Sequence, residues 1–159
     1  MTTRVGTADV QNLLAAWWYA YDEAELAQWP DLLTTDARFS SRSDSGASRF
    51  EAIVTREYRG REVLIRDLGQ HRIEGLYPVR HLSTNMHVIS AGEDEAEFRA
   101  YLLVTRVEGE QAVPIATGRC AGIARREAGR LKIATLEVVF DLTDSRPFAA
   151  AAPERSEKR

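Results

Sequence analysis

Cysteine is almost absent from this chain. Cys120 is the only one, so there can be no internal disulfide and no thiolate metal cluster, and a reducing compartment suits the sequence. It stands in Thr117-Gly118-Arg119-Cys120-Ala121-Gly122, inside an expected strand, where a small apolar filler is a commoner role than a nucleophile. An excess of charge of one sign is lacking too. A net charge of -3 over 159 residues offers no broad field to draw nucleic acid or anionic lipid. No run of about 18 apolar residues occurs, which removes a membrane-spanning helix. Met1 to Thr7 lacks the apolar segment of a secretory signal, so the expected location is cytoplasmic. P-loop, GxGxxG and GxSxG motifs are missing, and with them any support for phosphate cradling, dinucleotide binding or serine hydrolysis. His71, His81 and His87 make no metal signature, because no carboxylate stands at ligand spacing on the strand that carries His81 and His87. Neither a metal nor another cofactor is expected.

What is present is an ordinary globular composition, 44% hydrophobic and 28% charged, at a length that suits one domain. The expected division is a domain over 1–145 followed by a mobile tail over 146–159, where Ala149 to Ala152 lead into Pro153-Glu154-Arg155-Ser156-Glu157-Lys158-Arg159. From Ala8 to Ala27, Val10, Leu13, Leu14, Trp17, Trp18 and Tyr21 recur on one helical face. Pro30-Asp31-Leu32-Leu33 reads as a short second helix with proline at its start. Ala37 to Ser41 suggests a short strand, and the polar stretch to Ser48 a loop. Phe50, Ile53, Val54, Glu57, Tyr58, Val63 and Leu64 predict a third helix to about Leu68, weakened at Gly60. Beyond it the pattern turns to β. Val79 to Ser90, Glu95 to Glu108, Ala112 to Arg126 and Arg130 to Leu142 are long strand-like runs joined by short glycine-bearing turns. Helices followed by a meander of strands mean an α+β fold.

Two polar residues stand out against this pattern. With each residue turning about 100°, Asp22 lies roughly 120° from Val10, on the flank of the buried helical face. A carboxylate there is either solvated at the helix end or held by a partner. Strict alternation along the first long strand puts Val79, His81, Ser83, Asn85 and His87 on one face and Arg80, Leu82, Thr84, Met86 and Val88 on the other. The polar file either meets solvent or lines a wet or ligand-filled pocket, where an imidazole can serve as a general base. If Asp22 reaches His81, the carboxylate fixes the tautomer, frees the other ring nitrogen to take a proton and stabilises the imidazolium. Candidates to stabilise the developing oxyanion or to contact substrate are Trp18, Tyr21, Tyr58, Asn85 and Arg119. Arg119 and Glu137 either face the pocket or pair across the outer sheet. Trp17, Trp18, Trp29, Phe39 and Tyr58 can supply flat apolar walls or simple core packing.

A first helix ending in Tyr21-Asp22, the short Trp29-Pro30-Asp31-Leu32-Leu33 helix, Thr35-Asp36-Ala37-Arg38-Phe39 as a first strand and four long strands after it resemble the nuclear transport factor 2-like superfamily, in its SnoaL-like branch. Val10-Gln11-Asn12-Leu13 leading to Tyr21-Asp22, together with His81-Leu82-Ser83-Thr84-Asn85, look like the scytalone dehydratase-like subgroup. The chain departs from that subgroup at Phe39-Ser40-Ser41, where a tyrosine is expected. The resemblance, covering Val10 to Leu142, implies a cone-shaped α+β barrel with N-terminal helices packed on a strongly curved, mostly antiparallel sheet. It also implies a catalytic Asp22–His81 pair, and a cofactor-free lyase, isomerase or cyclase acting on a small ring-containing metabolite such as a polyketide or steroid. Phe39 and Tyr58 would join the substrate contacts. The alternative is a non-catalytic ligand-binding or assembly module similar to the small subunit of ring-hydroxylating dioxygenases. On either reading a homodimer is expected, packed through the outer sheet face Leu82, Met86 and Val88.

Overall fold

In the computed structural model, which describes residues 4–148 and 150, the apolar stripe of the first segment forms α1 (Thr7–Asp22). Asp9 in its first turn accepts the Gly6 N–H at 3.2 Å, a favourable place for a carboxylate at a helix start. The helix stops earlier than its periodicity predicts. Ala24 takes a φ of 53° and the Glu25 N–H turns back to the Ala20 carbonyl at 2.8 Å, closing the last turn. Pro30 opens α2 (Trp29–Leu32), and β1 (Leu33–Ser43) follows at once, longer than the expected 37–41.

The segment expected to be one helix from Phe50 to Leu68 is divided. It forms α3 (Glu51–Val54), an edge strand β2 (Arg56–Arg59), α4 (Arg61–Val63), a π turn over Leu64–Leu68, and α5 (Gly69–Glu74). Gly60 at φ 89° breaks the helix, and Arg56 to Arg59 pair antiparallel with Arg38 to Ser41. Long-range pairing thus overrides local helical spacing. The four long strands are β3 (Val79–Ala91), β4 (Glu95–Glu108), β5 (Gln111–Glu127) and β6 (Arg130–Phe140), close to their expected bounds. Gly109 and Gly129 take positive φ in their hairpin turns, together with Glu110 and Ala128.

The sheet runs β2-β1-β6-β5-β4-β3, with β1 parallel to β6 and every other pair antiparallel. Length, twist and bulges between Thr84 and His87, at Val104/Thr105 and at Ile123/Ala124 curl it into the cone. Its concave face carries Phe98, Leu102, Cys120, Leu136 and Val138, which α1 covers with Leu14 and Trp17. Each such large buried side chain contributes about 1.5–3 kcal/mol. A Cβ on Gly122 would lie 2.6 Å from the Phe98 ring and 2.4 Å from the Thr135 carbonyl oxygen, so only glycine lets Phe98 lie against β5.

One bulge corrects the face assignment of β3. Asn85 takes a φ of 53° and the pairing with β4 slips between Thr84 and His87, which adds a residue and inverts the alternation. Val79, His81 and Ser83 therefore share the concave side with Met86 and Val88, both packed on the core, while Leu82, Thr84 and His87 face out. The expected outer face of Leu82, Met86 and Val88 is not formed. No described helix is long and apolar enough to cross a membrane. Of the expected mobile tail, Ala149 and residues 151–159 lie outside the described residues.

Candidate active site

Asp22 occupies the last turn of α1 and is 5% exposed. The start of β3 runs past this helix end, so the residue at the helix terminus meets the third residue of the strand. Asp22 Oδ1 lies 2.6 Å from His81 Nδ1, and Oδ2 accepts the His81 backbone N–H at 2.8 Å. One carboxylate thus grips both the ring and the main chain of the same histidine. A carboxylate oxygen facing Nδ1 accepts the proton on that nitrogen, so a neutral imidazole held in this way presents its lone pair at Nε2.

Aromatic rings fix the imidazole on two sides. Trp18, one helical turn before Asp22, stacks on it at 4.8 Å between centroids and 6° between planes. Tyr21 meets it edge-on at 5.2 Å and 89°. Behind them Trp17, Trp29 and Tyr21 form a tilted and stacked cluster with centroid spacings of 4.9–6.0 Å. The Tyr21 hydroxyl makes no hydrogen bond among the described residues, and burial pushes its pKa up to about 12, opposed in part by Arg72. It is therefore a neutral O–H donor at any physiological pH. Tyr58 bears on the same phenol, and packs on Phe39 across the β1–β2 pair at 6.4 Å. The indole N–H of Trp18 is buried without a hydrogen-bond partner among the described residues.

This arrangement has the parts of a proton-transfer site: a carboxylate-oriented imidazole with one free nitrogen, and an unpartnered phenol against its edge. The sequence matches the SnoaL-like domain over residues 6–137. The chain belongs to the SnoaL-like family, within the nuclear transport factor 2-like superfamily. A search of curated proteins finds no match. Among solved structures, this SnoaL-like protein is similar to one from Novosphingobium aromaticivorans provisionally assigned as a scytalone dehydratase, at 15% identity and TM-score 0.67 over 88% of this chain and 87% of that one. A second neighbour from the same organism carries a provisional assignment as the β subunit of an aromatic-ring-hydroxylating dioxygenase, at 13% identity and TM-score 0.69 over 88% and 92%. An uncharacterised Caulobacter vibrioides protein with a cystatin-like fold aligns at 14% identity and TM-score 0.68 over 96% and 98%. At these identities the likeness shows the fold alone.

Not every residue singled out in the sequence joins the site of this SnoaL-like chain. His81 touches Asp22, Trp18 and Tyr21, with Tyr58 and Phe39 beyond Tyr21. Asn85 is exposed in the bulge and accepts a bond from the Thr84 hydroxyl. Strict alternation had placed it beside His81. Arg119 pairs in register with Tyr101 and Val139 and points to the convex face, opposite its buried neighbours Gly118 and Cys120. Its partner for comparison, Glu137, pairs there with Arg42 at 3.4 Å. The residue that sequence reasoning missed is Arg72. It follows Leu64 and Leu68 at steps of four along the buried stripe of its helix, a signal available in the sequence. Among the described residues no group of three or more His, Cys, Asp or Glu converges as a metal site would. A separate cleft of about 410 Å³ lies along the first half of α1, between Leu13, Leu32, Arg126 and Arg130, away from the Asp22 end.

Proposed function

We propose that this SnoaL-like protein is a cofactor-independent lyase, isomerase or cyclase of the dehydratase type, acting on a small ring-containing metabolite such as a polyketide or steroid. The observation that carries the reading is the double grip of Asp22 on His81, which leaves Nε2 unbonded among the described residues. In the step proposed, Nε2 takes a proton from carbon beside a carbonyl, the C–H electron pair becomes a C=C bond and the C=O π pair moves onto the oxygen. The Tyr21 O–H donates to that oxygen, and Asp22 stabilises the imidazolium. Return of the proton elsewhere gives isomerisation; loss of a leaving group gives elimination; attack on a second carbonyl closes a ring. Aromatic faces from Trp18, Tyr58 and Phe39 suit a flat ring. The test is deuterium incorporation from D2O into a panel of enolisable ring ketones. Exchange by the native protein that is lost in His81→Gln supports the reading, and equal exchange by both rejects it.

A second reading is a non-catalytic ligand-binding or assembly module similar to the small subunit of ring-hydroxylating dioxygenases, and the exposed apolar side chains of the convex face support it. Under it, the convex sheet face is the working surface. Leu82 at 50% and Tyr101 at 56% exposure leave apolar area there. The same face is our proposed homodimer contact, corrected from the Met86 and Val88 that turn inward. Light scattering of the native protein against Tyr101→Lys tests it: a dimer that dissociates in the variant supports this face, and an unchanged mass excludes it.

A further inference from the structure

Arg72 is buried to 7% exposure, yet no carboxylate lies within ion-pair distance of it among the described residues. Its guanidinium instead spans main-chain carbonyls. Nε and Nη2 donate to the Asp22 carbonyl at 3.3 and 3.0 Å, and Nη1 donates to the Leu76 carbonyl at 2.9 Å. The plane also lies over the Tyr21 ring at 5.9 Å. A buried cation held only by carbonyls is costly unless something nearby carries the opposite charge.

The fold supplies that charge at the end of α1. The last carbonyls of a helix have no intrahelical partner, and they form the negative pole of its dipole. The last turn of α1 holds no basic residue of its own, so the cation arrives from α5, fifty residues later in sequence. Asp22 adds its carboxylate to the same corner. Close approach of α5 is allowed by Gly69, where a Cβ would lie 3.1 Å from the Leu26 side chain that follows α1.

From this geometry we infer that Arg72 is a positioning residue, which clamps the Asp22 main chain so that the carboxylate is aimed at His81. Asp22 is then anchored at three points: its carbonyl by Arg72, Oδ1 by His81 Nδ1, and Oδ2 by the His81 amide. Without the clamp, the end of α1 loses a bidentate donor and its balancing cation. The carboxylate then swings relative to β3, and the imidazole is no longer confined to one tautomer. The inference rests on the proposed dyad only in calling the held carboxylate functional, and it is read in the resting protein without substrate.

The experiment labels histidine with ¹⁵N and reads the ring nitrogens of His81 by NMR at one neutral pH, in native protein and in Arg72→Met, Arg72→Gln and Arg72→Lys. Circular dichroism selects the variants that retain the fold. Native protein is expected to show a single tautomer protonated at Nδ1. Loss of that single signature in folded Arg72→Met, with retention in Arg72→Lys, supports the clamp. An intact Nδ1–H signature in folded Arg72→Met overturns it, and if the methionine variant does not fold, Arg72→Gln is read in the same way. A clamp that holds in a protein that exchanges no C–H proton would defeat the proposed reaction alone; exchange without the clamp would defeat this inference alone.

Discussion

Asp22 meets three demands at once, as a helix-end residue, a buried carboxylate and, under the proposed mechanism, the orienter of a base, and each predicts a different response to mutation. Asp22→Asn retains shape and one acceptor but presents the wrong group to Nδ1, so proton transfer should fall roughly 10³–10⁴-fold with little change in folding, as a kinetic comparison on any active ketone would measure. Asp22→Ala also strands the His81 amide and the ring N–H, while Arg72 keeps the main-chain carbonyl that it grips. It should lower stability by about 1–3 kcal/mol in denaturant unfolding. Tyr21 offers a pH test. Its phenol ionises near 10 when unfolded and at about 12 in the fold, so the unfolded state releases its proton first. The stability tied to this group is therefore complete below pH 10 and is lost as pH rises toward 12. Ultraviolet titration should show one late-ionising tyrosine that disappears in Tyr21→Phe; an unchanged titration in that variant contradicts the assignment.

At the scale of elements, α1 and the four long strands were legible because their patterns are long and are satisfied locally. Trp17 and Trp18 fall on a helical stripe, and β3 to β6 are separated by short glycine-bearing turns, of which those at Gly109 and Gly129 take positive φ while Gly92 does not. The rest depended on contacts distant in sequence. β2 is a strand only because Arg56 to Arg59 pair with β1, and the π turn at Leu64–Leu68 has no composition of its own. The Asn85 bulge is invisible to alternation, which therefore puts Met86, Val88, Asn85 and His87 on the wrong faces. Within the site, the motif singles out Asp22 and His81; the burial of Arg72 is legible from its spacing after Leu64 and Leu68, but its contact with Asp22 comes only from the packing of α5 on α1. β5 carries a prediction of its own. Burial pushes the Cys120 thiol up to about 12, so its reactive thiolate is suppressed near neutrality. Folded protein at pH 8 should resist a thiol reagent that modifies the unfolded chain stoichiometrically; rapid labelling of the native state would show that the β5–β6 wall opens.

On the scale of the whole molecule, the cone brings the end of one helix and the start of one strand together and surrounds them with aromatic rings. Sheet curvature makes this possible, and the curvature depends on close contacts such as Gly122 against Phe98. Gly122→Val should prevent native folding, since its Cβ alone would overlap Thr135 and Phe98, and circular dichroism with thermal melting reads the result. The central claim is that Asp22 and His81 act as one unit. The most direct measurement is a double-mutant cycle of Asp22→Asn and His81→Gln on C–H exchange. Residues that form one machine are strongly non-additive, so the double variant should be no slower than His81→Gln alone. Losses that simply add would mean that the two residues act independently, and would contradict the account.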